Sequence, residues 1–341
     1  MIRRRERWRI AGIGVCVLGL VLLAIWATRI EPLGARDGTA RPTHTVTVTP
    51  SPAATAVPPT TDAPPATATA PTVTTPAPQP ALLPGGRSRI FEGDPLLVAY
   101  YGTAGTGALG VLGERRPDVS DARLRREAAH FRSLGRPIQT VYELIVTVAD
   151  SYPGKDGDYS HDIKRRQVRE WIAAAHRHDA LVILDLQPGR SDFLEVARRW
   201  AWALADPWVG LAIDPEWRVH GGERPGRVIG HVDAAEVNEV SGWLSRFTTS
   251  RGLPEKVFML HQFRNRMVRR ADRIRARPGL AMIQHVDGFG TRGEKLATYH
   301  LVARPKQFSM GFKLFYDEDV RRMGPKAVKR IRPRVRFISF Q

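Results

Sequence analysis

The sequence predicts an α/β protein: a closed (β/α)8 TIM barrel, preceded by one transmembrane helix and a disordered Pro/Thr-rich linker. Three observations carry this. After Arg87, short apolar runs alternate with amphipathic stretches, the pattern of a parallel sheet whose strands are joined by helices. Eight such runs fall within about 255 residues, the usual size of a closed barrel. Before Arg87 the composition changes twice, first to an uncharged apolar stretch and then to a segment of Pro, Thr and Ala.

Residues 1–9 form a basic tail containing "RRRERWR". From Ile10 to Thr28 the chain carries no charge, and at ~1.5 Å per residue that stretch crosses most of a ~30 Å hydrocarbon core. Its arginine-rich flank places the N-terminus in the cytoplasm and everything after Arg29 outside. The expectation is a single-pass signal-anchor in the cytoplasmic membrane, residues 10–28, with an extracellular C-terminal domain. A cleaved signal peptide competes with it, although the stretch is long for one and no small-x-small site follows. Cys16, the one cysteine, sits in the middle of the apolar run, where a lipid-attachment cysteine would not. The exported part therefore has no disulfide and must be held by its core alone.

Residues 29–86 offer almost no large apolar side chain and cannot offset the entropy of ordering, so they are expected to be an extended stalk. At ~3.1 Å per residue in polyproline II its reach would be on the order of 150 Å.

Residues 87–341 make the barrel. The eight strand candidates are "PLLVAYYG", "IQTVYELIVTVAD", "ALVILDLQPG", "VGLAIDPEW", "KVFMLHQF", "LAMIQHVDGFG", "FSMGFKLFYD" and "VRFISFQ". Helices are predicted over 120–134, 162–178, 190–204, 233–250, 264–276, 293–303 and 317–330. An open doubly wound sheet is the alternative. "GTGALG", Gly105 to Gly110, matches G-x-G-x-x-G after a strand, but "VLGERRPD" brings Gly113 and Pro117 where a helix should open, so no dinucleotide site is expected.

Active sites of such barrels gather at the C-terminal ends of the strands, and there the apolar runs turn polar. Asp214 and Glu216 end the fourth run, two apart and so on one side of the chain, with Pro215 marking the strand's exit. Asp185 and Gln187 end the third, His261 and Gln262 the fifth, His285 and Asp287 the sixth, and Lys313, Tyr316 and Asp317 the seventh. Glu143 interrupts the second. On one barrel these converge as a substrate-binding set, with Trp217, Tyr100, Tyr101 and Tyr316 as stacking platforms for sugar rings. Each also has a plainer use: Asp185, Asp287 and Asp317 as helix caps, Glu143 paired with Lys313 or an arginine, the histidines satisfied by neighbours. Asp214 and Glu216 stand out because two like charges at one strand end raise each other's pKa. That would keep Glu216 protonated while Asp214 stays ionised, a division of roles that glycoside hydrolysis uses.

"IDPE" at the end of the fourth strand resembles the D-x-E signature of chitinase-like and lysozyme-like barrel glycosidases. The resemblance implies Glu216 as general acid and Asp214 as its electrostatic partner. Gly210 and Ala212 stand where the chitinase-like strand carries further aspartates, and "HVDGFG" where that family places a tyrosine. More broadly, "VAYYG", "LDLQPG", "IDPEW", "HQF", "DGFG" and "GFKLFYD" look like an exported bacterial barrel family, which implies fold and export but no activity.

The expected protein is a membrane-anchored, extracellular, glycoside-hydrolase-like monomer acting on a cell-envelope polysaccharide, without cofactor. Two alternatives remain beside it. One is a carbohydrate-binding barrel without turnover. The other is a divalent-metal hydrolase using Asp185, Asp214, Glu216, His261, His285 and Asp287 as the N and O ligands of Zn, Mn or Mg. The charge, 52 Lys+Arg against 34 Asp+Glu for a net +18, also asks for a partner, with a cluster in "VRRMGPKAVKRIRPRVR". Outside the membrane the expected partner is an anionic wall polymer or lipid headgroup, not nucleic acid, and the plainer reading is a solvated basic helix face.

Overall fold

A computed structural model of the chain describes residues 81–341. The expected membrane segment, and the linker as far as residue 80, lie outside the described residues. Among those described, no helix is long and apolar enough to cross a membrane.

Eight parallel strands close into a barrel: β1 Leu96–Thr103, β2 Ile138–Ala149, β3 Leu181–Leu186, β4 Val209–Ile213, β5 Lys256–Gln262, β6 Leu280–Val286, β7 Ser309–Leu314 and β8 Val335–Phe340. Each pairs with the next in sequence, and β1 also pairs with β8, which closes the ring and excludes the open doubly wound sheet. These strands read as unbroken apolar runs because both faces are covered. Val98, Leu144, Leu184, Leu211, Leu260 and Phe312 point outward, against Leu124, Trp171, Phe193, Leu244 and Tyr299 of the helices. The alternate residues, among them Leu97, Val141, Ile183, Met259, Ile283 and Phe337, fill the lower lumen.

Leu83 and Ile90 belong to that lumenal cluster and are each 2% exposed. The Trp208 indole donates to the Leu82 carbonyl at 2.9 Å. The folded domain thus takes in residues ahead of Arg87.

The helices are α1 Pro117–Ala129, α2 Arg165–Arg177, α3 Phe193–Arg199, α4 Ala234–Thr249, α5 Arg292–Val302 and α6 Pro325–Lys329, with one further turn at Ala201–Leu204. Asp233 caps α4 by accepting from the Ala235 N–H at 2.8 Å, and Thr291 with Glu294 forms a capping box on α5. The helix expected over 264–276 is absent. Met267, Ala271 and Ile274 do recur at helical spacing and are all buried, but two 3-10 turns, Asn265–Met267 and Ala271–Arg273, and the extended Ile274 after them meet that burial. Between the turns Val268–Arg269 pairs with Val232–Asp233, and Arg270 takes a left-handed φ of 52°. The helix expected over 317–330 shrinks to α6. Asp319–Val320 pairs with Gly290–Thr291, and Gly324-Pro325 delays the helix start.

The Gly105–Gly110 segment folds back on the end of β1. Gly110 has φ 133°, and a Cβ there would meet the Tyr101 carbonyl oxygen at 2.3 Å, so glycine is needed for close approach to the strand. The nearest helix opens only at Pro117.

Candidate functional site

Toward the C-terminal end of the lumen the apolar filling stops: seven strands contribute one polar residue each, and Asp214 adds one directly after β4. These are Tyr101, Glu143, Asp185, Asp214, His261, His285, Lys313 and Ser339, none more than 4% exposed. Strand pairing sets several side by side: Tyr101 with Glu143, His261 with His285, Lys313 with Ser339. Gly311 makes room for one of them, since a Cβ there would lie 2.9 Å from His285 Cδ2.

His261 is the hub. Its Nδ1 lies 2.7 Å from Asp287 Oδ2, and its Nε2 lies 3.0 Å from Glu143 Oε1 and 3.7 Å from Asp185 Oδ1. His285 Nδ1 lies 3.4 Å from the same Glu143 oxygen, and its Nε2 meets Ser339 Oγ at 3.1 Å. Lys313 Nζ is 3.4 Å from Asp287 Oδ2, 3.2 Å from Gln341 Oε1, and 3.7 Å above the Tyr101 ring. The Tyr101 hydroxyl donates to Asp185 Oδ2 at 2.9 Å and accepts from Gln187 Nε2 at 3.3 Å. Glu143 thus faces the two histidines; the expected direct pairing with Lys313 goes instead to Asp287.

Asp214 and Glu216 sit where β4 leaves the barrel. The Asp214 carboxylate accepts the Glu216 N–H at 3.1 Å, which shapes the short turn Pro215–Trp217. Asp214 is buried, whereas Glu216 and Trp217 are partly exposed. Burial pushes the Glu216 carboxyl up to about 7, helped by the negative charge of Asp287. Burial also lifts Asp214 well above the usual range, so the expectation that Asp214 is the ionised member fails: it has too little water around it. Burial raises Asp185 as well. Glu143 and Asp287 behave oppositely. Burial pushes Glu143 up, but His285 and His261 override it and hold it at about 2. At Asp287 burial is likewise overridden, by Lys313 and the two histidines, and the carboxyl stays well below its ordinary value.

No protein-family model matches the chain, and a search of curated proteins finds no match.

Some expected site residues lie elsewhere. Tyr100 faces outward, its hydroxyl 3.4 Å from that of Tyr316, and both rings pack on Phe340. Gln262 also turns outward, accepting from Gln284 Nε2 at 2.7 Å. Asp317 is exposed. The basic cluster is partly neutralised within the domain, since Arg334 and Arg336 reach Asp94 at 2.7 and 3.0 Å beside Arg136 at 3.1 Å. Ser339 and Gly311 were not foreseen, because small residues inside an apolar run give no signal. Among the described residues, the set that could hold a metal is Glu143, His261 and His285, with one ligand atom from each within 4.8 Å of the others.

Proposed function

We propose that the barrel hydrolyses a glycosidic bond, with Glu216 as the proton donor. The observation that supports this most is the pairing of two environments at the barrel mouth. Glu216 is partly exposed and titrates near neutrality, while Asp287, 11% exposed, is kept ionised by Lys313 and His261. A carboxyl poised near working pH delivers a proton to a leaving oxygen, and an ionised one close enough to act on it electrostatically would support the developing positive charge or activate water. Of the five carboxyl groups here, these two are the most accessible to a substrate; Glu143 and Asp185 are 0% exposed and Asp214 is 4%. Asp214 acts as a positioning residue through the Glu216 N–H. Trp217 lies beside the acid and offers an apolar face for a sugar ring.

In this proposal the substrate is a cell-envelope polysaccharide, reached by a domain anchored through residues 10–28. That part rests on the apolar run and the stalk composition. Peptidoglycan and teichoic-type wall fractions, incubated with the full-length chain, should release reducing ends. Glu216→Gln should abolish release while leaving pull-down on the same wall fraction intact. Binding without release by the parent protein would assign the barrel to carbohydrate capture instead.

A further inference from the structure

Beneath Glu216, six buried polar atoms have no hydrogen-bond partner: Oε1 and Oε2 of Glu143, Oδ1 of Asp185, Nε2 of His261, Nδ1 of His285 and Oδ1 of Asp287. Native interiors leave few buried polar atoms without a hydrogen bond, and the close histidine and carboxylate contacts of this layer lack hydrogen-bond geometry. Here they converge on one place. The separations of 3.0 Å from His261 Nε2 to Glu143 Oε1 and 3.4 Å from His285 Nδ1 to the same oxygen lie close to the edge of a tetrahedral site. Bonds of ~2.0–2.1 Å to a central ion place its ligands roughly 3.3 Å apart.

The far sides of both rings are already held. Asp287 occupies His261 Nδ1 and Ser339 occupies His285 Nε2. Metal-binding imidazoles are typically fixed this way, with the outer nitrogen tied and the inner lone pair aimed at the ion. With Nδ1–H donated to Asp287, His261 presents a lone pair to a carboxylate oxygen, an arrangement that needs a cation or a second proton between them. Carboxylate oxygens crowd the two imidazoles: Glu143 and Asp185 lie 3.0 and 3.7 Å from His261 Nε2, and Asp287 lies 2.7 Å from its Nδ1, with Lys313 as the one ammonium in contact.

We propose that Glu143, His261 and His285 bind one divalent first-row transition-metal ion, with Asp185 beside it as a further carboxylate ligand. Two imidazoles with a carboxylate suit Zn2+, Fe2+ or Co2+, whereas Ca2+ and Mg2+ prefer all-oxygen cages. The three ligands are fully buried, so the ion ties the polar layer together from within. Imidazole and carboxylate ligands bind the ion only when unprotonated, so binding is weaker in acid. The inference does not depend on sugar hydrolysis.

The test uses the untagged full-length chain, stripped with chelator and titrated with Co2+. The expected result is one equivalent bound, with visible d–d absorption, and a thermal midpoint that rises when Zn2+ is added. Glu143→Gln should lose both the band and the rise. Asp287→Asn, which leaves the three ligands in place but changes the outer partner of His261 and the partner of Lys313, should weaken binding about 10–100-fold. Glu216→Gln should bind as the parent does, which separates this inference from the hydrolytic proposal. If Glu143→Gln fails to fold, the Asp287→Asn affinity decides. Absence of the band and of the Zn2+-dependent rise, or their persistence unchanged in the variants, would overturn the site and leave an imidazolium–carboxylate network.

Discussion

Replacing Lys313 with Met removes the lysine from the polar layer while keeping a similar apolar stem. Its ammonium lies 3.4 Å from Asp287 Oδ2. At an effective dielectric of ~20, opposite charges at that distance attract by about 5 kcal/mol. Deleting one member of a buried pair usually costs ~3–5 kcal/mol, because the other charge is left behind. His261 still contacts Asp287 at 2.7 Å, so the lower end applies. A loss of ~3 kcal/mol should lower Tm by roughly 6–12 °C in a domain of this size. A second readout has its own sign. Lys313 draws the Glu216 carboxyl down, against burial and Asp287, so without the lysine Glu216 should titrate above its present value of about 7. Calorimetry measures the first effect, and carboxyl-carbon NMR of Glu216 measures the second. An unchanged Tm, or a Glu216 titration that moves downward, would refute the electrostatic account of the layer.

The remaining expectations concern the acid, the packing and the domain edge. If Glu216 is the proton donor, kcat/KM against pH should fall as pH rises through about 7, since the protonated form is the active one; a flat profile there would remove Glu216 from the role. The same raised value means that the folded chain binds this proton more tightly than the unfolded one, so Glu216 costs stability between its ordinary 4.5 and about 7, and no more above that. Gly311→Ala brings a methyl group to 2.9 Å from His285 Cδ2 and should destabilise by ~1–3 kcal/mol in urea unfolding, with a shifted His285 ring resonance. Leu83→Ala should cost ~2–5 kcal/mol by the same assay, because Leu83 is 2% exposed among lumenal side chains; an effect near zero would return the domain boundary to Arg87.

Barrel strands were legible because a strand covered on both faces shows as a plain apolar run, and eight of them recur here. Helices were less so. Met267, Ala271 and Ile274 have the spacing of a helix, yet two short turns meet the same burial demand, and sequence periodicity does not separate the two. The convergence of Glu143, Asp185, His261, His285 and Lys313 followed from strand ends meeting in one lumen. Parity on a strand already held part of the correction: adjacent residues face opposite ways, so Tyr100 cannot join Tyr101, nor Gln262 join His261, inside the barrel. The ionisation of Asp214 was not legible, because burial depends on the closed ring around it rather than on its neighbour in sequence.

A layer built of one residue per strand also behaves as a shared proton account. Tyr101, Glu143, Asp185, Asp214, His261, His285 and Lys313 are buried together and titrate against one another, so the quantity the fold constrains is their summed charge. Damage at one position should then be repaired at a distant one of opposite sign. Lys313→Met combined with Asp185→Asn should be closer to the parent than the sum of the single changes, although the two residues lie on strands that do not pair. Sequence drift in such a barrel would run along lines of constant charge, changing several strands together while each strand alone looks intolerant of change.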